Sequence, residues 1–169
     1  MSSSYLALSL VYWLHMLATV VWIGSLAAIS LLVLPAARRT LSDEQISTFL
    51  IALQKRLSPL AWFSLAVLAV TGLFQMSANP NYEGFFSIKN TWAGAILVKH
   101  ILFLGMILLA TYQTWWLMPA LQRSLMIRQS LSQGDPRIDR LQTQENRVAG
   151  ISLVLGVVVL LLTALARAS

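Results

Sequence analysis

The chain has 169 residues, of which 57% are hydrophobic and 11% charged, and it has no cysteine. The charged share is far below the roughly 25% of an average soluble domain, and with a mean hydropathy of +0.72 it points to a membrane protein. Lack of cysteine excludes disulfides, thiolate metal sites, cysteine-held iron–sulfur clusters and c-type haem attachment, while the net charge of +6 comes from basic residues between apolar runs, which record topology rather than a nucleic-acid partner.

No charge precedes Arg38. The first apolar run, about residues 5–34, exceeds the ~20 residues a helix needs to cross hydrocarbon. The leader MSSSY has no positive charge and the run is longer than a signal peptide's core, so it is read as a retained span. In TLSDEQISTFLIALQKRLSP, Ser42 and Gln45 have capping-box spacing, and Ile46, Phe49, Leu50 and Leu53 fall on one helical face. A short amphipathic helix on the cytoplasmic membrane surface is predicted there. Ser58 and Pro59 then read as the N-cap and first turn of the second span, 59–77.

The connection SANPNYEGFFSIKNT is rich in turn formers, and its Tyr82, Phe85 and Phe86 suit the interfacial zone. The third span is predicted at 92–121 and the fourth at 148–166. Between them Gly134-Asp135-Pro136 is the expected break, with both helices projecting beyond the bilayer to meet it. The prediction is an all-α, polytopic, up-and-down bundle of four transmembrane helices, a single domain over 1–169.

Orientation follows from the basic residues. Arg38, Arg39, Lys55 and Arg56 lie in the first connection, and Arg123, Arg128, Arg137, Arg140 and Arg147 in the third. Only Lys89 and Arg167 fall on the other side. By the positive-inside rule both termini are outside, which in a bacterium is the periplasmic face of the inner membrane.

Lys99 is the one basic residue inside a span, and its neighbour His100 is one of only two histidines. On helices running the same way, His15 and His100 come to nearly the same depth, within about 2 Å, in the outer half of the bilayer. The first and third helices of such a bundle lie diagonally, about 13–14 Å apart, which leaves room for an iron between two inward imidazoles. A bis-histidine haem b site is therefore the leading expectation. Copper is the alternative on the same pair, with Met16, Met76 and Met106 as soft donors. Two competing readings stay open: the histidines as buried rings bonded to nearby hydroxyls or carbonyls, and the methionines as ordinary filler.

His15 shares a stripe with Thr19 and Trp22, which are candidate cofactor contacts, and His100 shares one with Ile107 and Thr111. Ser64, Thr71 and Gln75 align on the second helix, as do Glu145, Ser152, Gly156 and Thr163 on the fourth; small and weakly polar stripes of this kind also serve helix packing. Lys99 is about 100° from His100, on the stripe of Trp92, Met106 and Gln113. It either snorkels to the interface or neutralises a propionate, a carboxylate or an anion inside the bundle. Arg56 and Glu145 are expected to pair near the inner ends of their spans. No GxSxG, HExxH, Walker loop or intramembrane carboxylate pair supports hydrolase chemistry.

The pieces LHMLATVVWIGSL with His15, RLSPLAWFSLAVLAVTGL from Arg56 to Gly72, TWAGAILVKHILF with Lys99, MPAL around Pro119 and QENRVAGISL with Glu145 resemble the membrane domain of the copper-resistance CopD family. There is a more distant likeness to HemJ-type protoporphyrinogen oxidases. The resemblance implies an inner-membrane protein handling copper or haem, with the positions of His15 and Lys99 as functional candidates. Where HemJ-type chains continue YLPRLF after the tryptophan, this chain has IGSLAAISLLVLP, so porphyrinogen oxidase activity is disfavoured. The expected roles are membrane electron transfer through haem b, copper uptake or homeostasis, or an accessory part. The expected partners are a larger membrane redox complex or a second copy of the chain.

Overall fold

The computed structural model describes residues 3–79, 91–131 and 136–168. These form α1 (Ser3–Ala27), a π-helical turn at Ala28–Val33, α2 (Leu34–Thr40), α3 (Asp43–Ser77), α4 (Thr91–Tyr112), a second π turn at Gln113–Leu117, α5 (Met118–Leu131) and α6 (Pro136–Ala168). Each π turn joins its flanking helices without a break, because the capping residues keep helical dihedrals. The first and third spans are therefore continuous rods, and four helical stretches, 5–40, 48–77, 93–124 and 140–165, are long and apolar enough to cross a membrane. The all-α, four-span reading holds. Tyr82, Phe85, Phe86 and Lys89, and the Gly134-Asp135 break, lie outside the described residues, and α6 starts at Pro136, where a missing N–H costs nothing.

The predicted surface helix is corrected. Its capping box forms, with Ser42 N donating to Gln45 Oε1 at 3.0 Å and Gln45 N donating to Ser42 Oγ at 3.5 Å. The helix it starts does not stop at Ser58, however: α3 runs through Pro59 as one 35-residue helix. Pro59 removes only the hydrogen bond to the Lys55 carbonyl, a loss that packed membrane helices tolerate. Ile46 and Leu50 are buried against Leu34, with Ile29 and Leu41 alongside, so the amphipathic stretch packs on the lower end of the first span.

The first span packs along α3 and α6, α4 packs along α6, and α5 meets both α6 and α3. The first and third spans are thus the diagonal pair. The second and third meet mainly through α5, at the end away from the termini. Large apolar side chains such as Leu10, Leu32, Phe63, Val70, Leu108, Val154 and Leu161 are exposed around the outside, as a lipid-facing surface requires.

The inward residues repeat by sevens. Trp22, Leu65 and Met106 form one buried cluster, and Gly156 brings α6 against it: a Cβ there would lie 3.3 Å from Ile23 Cγ1 and 3.9 Å from Met106 Cε. One heptad toward the termini, on Trp22, Ser64, Met106 and Gly156 respectively, stand His15, Thr71, Lys99 and Thr163. One heptad the other way stand Ile29, Leu57, Gln113 and Ala149. Seven residues make nearly two turns, about 10 Å along each rod, so the bundle is built in three layers with the apolar cluster as a neck.

The tight approach at Gly156 gives a stability test. Gly156→Leu is expected to cost about 1–3 kcal/mol through overpacking, read as a fall in the thermal midpoint in detergent. Gly24→Leu is expected to be nearly neutral, since nothing lies within 4 Å of a Cβ at Gly24.

Candidate functional site: an outer histidine layer and an inner cavity

His15 sits on the most buried face of α1, in phase with Ala18 and Trp22, which are both buried. Its Nδ1 lies 2.8 Å from Thr71 Oγ1 on α3. The Thr71 hydroxyl gives its single proton to Val67 O at 2.5 Å. Thr71 can therefore only accept from the ring, so His15 Nδ1 carries the proton, and in the neutral imidazole the lone pair is on Nε2. The adjacent Gly72 lies beside the ring, where a Cβ would sit 3.5 Å from His15 Cε1. Thr19 donates to His15 O at 2.7 Å, so it braces the backbone of that turn.

His100 reaches the same tautomer by another route. Its Nδ1 is 2.7 Å from Ile96 O, one turn earlier on α4, and a carbonyl can only accept, so Nε2 again has the lone pair in the neutral ring. A metal-binding histidine usually donates its other ring N–H to an oxygen acceptor, which fixes the tautomer and the ring's orientation.

The azimuths of the two histidines differ. His100 is about 120° around α4 from Met106, on the flank that turns toward Leu104, a residue with 60% exposure. Lys99 is in phase with Met106, which is only 3% exposed, and with Gln113, which lines the cavity described below. Lys99 and His100 are both half-buried, and His100 is in phase with Ile107, which packs against the neck. About one turn above Thr71, Gln75 Nε2 is buried and has no hydrogen-bond partner among the described residues.

The remaining candidates separate. Trp22 is in the neck, one heptad below His15, and Met106 packs beside it. Met76 is buried near the end of α3, whereas Met16 is 62% exposed on the outer surface of α1 and is not brought to the histidines. Trp13, Trp115 and Trp116 are exposed; the Trp115 ring lies 5.3 Å from that of Trp62. Among the described residues no three histidine or carboxylate side chains gather into a metal cage.

On the other side of the neck is a cavity of about 60 Å³. Its polar lining is Ser25, Gln54, Ser58, Gln113, Thr114 and Glu145, with Trp22 and Trp62 among the apolar walls. Trp62 Nε1 donates to Thr114 Oγ1 at 3.3 Å. Glu145 is only 5% exposed, and its Oε2 has no hydrogen-bond partner among the described residues; nor has Trp22 Nε1. The expected pair with Arg56 is not made, because Arg56 is exposed on α3 while Glu145 turns into the bundle. Sequence reasoning missed this cavity. Its one available signal was the recurrence of polar residues, Ser25, Ser58, Gln113 and Glu145, in the inner halves of all four spans.

The family model for Copper resistance protein D matches residues 51–166, which takes in the second, third and fourth spans and leaves out His15. No curated protein matches the chain, and no solved structure does. The match covers more than half of the chain, with four apolar helices around it: this multi-pass membrane protein belongs to the CopD, copper resistance protein D, family.

Proposed function

We propose that the protein takes up or buffers copper within the membrane, and that copper is its substrate at the outer layer. The observation that carries this reading is the fixed tautomer of both histidines, His15 through Thr71 and His100 through Ile96 O. Nε2 then bears the lone pair in each neutral ring, and imidazole with thioether is a donor set that suits copper. In this reading His15 is the principal ligand, with His100 and Met76 as further donors. Met106 in the neck is the next soft atom toward the inner cavity. Met16 has no part in it, since it points to lipid.

The orientation proposed is that of the positive-inside rule. The exposed Arg38, Arg39, Lys55, Arg56, Arg123, Arg140 and Arg147 crowd the end opposite the termini. That end is cytoplasmic and the histidine layer opens toward the periplasm of a bacterial inner membrane.

A second reading, haem b held by His15 and His100 for membrane electron transfer, is favoured by Lys99. A cation on α4 would balance a haem propionate, and the buried Gln75 Nε2 is a donor suited to the same carboxylate. The sparse contact between α3 and α4 toward the terminal end leaves an edge where a flat ring would enter. When bound, haem would supply one-electron chemistry; His15 would orient it and Lys99 would balance its charge. A role as an accessory part of a larger assembly, or as a homo-oligomer, would use the same bundle without either guest.

Elemental analysis and an absorption spectrum of the purified protein decide among these. The copper reading expects stoichiometric copper after Cu(I) loading, lost in His15→Ala, and no Soret band. A Soret band that collapses in His15→Ala and His100→Ala would replace it with haem, and protein that holds neither guest would remove both. Thr71→Val should weaken copper binding about 10–100-fold, the usual cost of losing a second-shell partner, while Thr71→Ser retains it. Equal affinity in Thr71→Val would contradict the role given to the tautomer. The chain has no cysteine, so a cysteine placed at Arg39 should react with an impermeant maleimide only after the inner face is exposed, and one at Tyr5 should react in intact spheroplasts.

A further inference from the structure

We infer that the cavity beyond the neck is a binding chamber for a small hard cation, hydronium or a hydrated alkali-metal ion, with Glu145 as its anionic anchor. The chamber stands across the neck from His15, so its occupancy does not depend on what the histidine layer holds.

Its construction departs from regular helix on three sides. Ile29 comes from the π turn of the first span, Gln113 and Thr114 from the π turn of the third, and Ser58, Ala61 and Trp62 flank Pro59 in α3. The fourth side is Glu145 and Ala149 of α6. π turns widen a helix and are frequent at functional sites. Here each puts two large side chains outside in succession, Leu31-Leu32 and Trp115-Trp116, which frees the inner side for smaller polar groups.

The chemistry then selects the occupant. Glu145 and Trp22 are each 5% exposed, and each presents an atom, Oε2 and Nε1, with no hydrogen-bond partner among the described residues. A carboxylate in such surroundings is costly unless a positive charge compensates it. None of the described lining residues is basic. On α3 the nearest cations by sequence, Lys55 and Arg56, are exposed, as is Arg147 on α6; α1 and the π turn of the third span contribute only Val21, Trp22, Ser25, Leu26, Gln113 and Thr114. Among the described residues no cation meets the carboxylate, so in this inference a guest supplies the compensating charge. Hydroxyl, amide and carboxylate oxygens are hard donors, which suit a proton or alkali-metal ion and not copper(I). The volume admits about four to six waters, enough for a partial hydration shell that also accepts from Trp22 Nε1.

The test is infrared difference spectroscopy of the full chain in lipid, comparing sodium chloride with N-methylglucamine chloride at constant pH, and acidic with alkaline buffer. The chamber predicts a protonated-carboxyl C=O band that is missing in Glu145→Gln and shifted in Glu145→Asp. If sodium removes the band at constant pH, the guest is an alkali-metal ion; if only alkaline buffer removes it, the guest is a proton. Wild-type spectra that respond to neither change, or a band that persists unchanged in Glu145→Gln, would overturn the inference.

Discussion

Everything in this bundle is arranged about the contact of Trp22, Leu65 and Met106, three side chains from three spans that bury one another at mid-depth. Gly156 lets the fourth span close on them. Helices in lipid gain little by burying apolar surface, so close packing and satisfied polar groups must hold them together. The neck supplies the packing. It also divides the interior, since any polar residue on the inward heptad must fall above it or below it. Above lie His15, Thr71, Lys99 and Thr163; below lies the cavity with Glu145.

The polar atoms above the neck are largely committed. The chain of donation from His15 through Thr71 to Val67 O crosses from α1 to α3, and it fixes both the tilt of the ring and the position of its proton. The two spans are thus joined by the same contact that sets the tautomer of the imidazole. His100 has the acceptor of its Nδ1 on its own helix. That difference is why His15 bears most of the proposed chemistry although the family match begins after it.

The four spans and the capping box of Ser42 and Gln45 were legible in the sequence because each depends on spacing along one helix. The errors concern what spacing does not determine. Pro59 looked like a helix start, and only the packed surroundings of a membrane bundle let α3 run through it. Lys99 and His100 are adjacent, so an oily stretch on both sides does not say which of them faces inward, and the bundle leaves both half-buried. Glu145 and Arg56 are at similar depth but opposite azimuth, hence the expected ion pair fails. The π turns at 28–33 and 113–117 leave no mark on composition, and without them the inner cavity could not be foreseen.

The account stands or falls on His15 Nε2 being a ligand atom. X-ray absorption at the copper edge of the Cu(I)-loaded protein tests it most directly. The account predicts a nitrogen shell with the outer-shell scattering of imidazole, weakened in His15→Ala. A copper environment without imidazole scattering, or one that is unchanged in that variant, would contradict it.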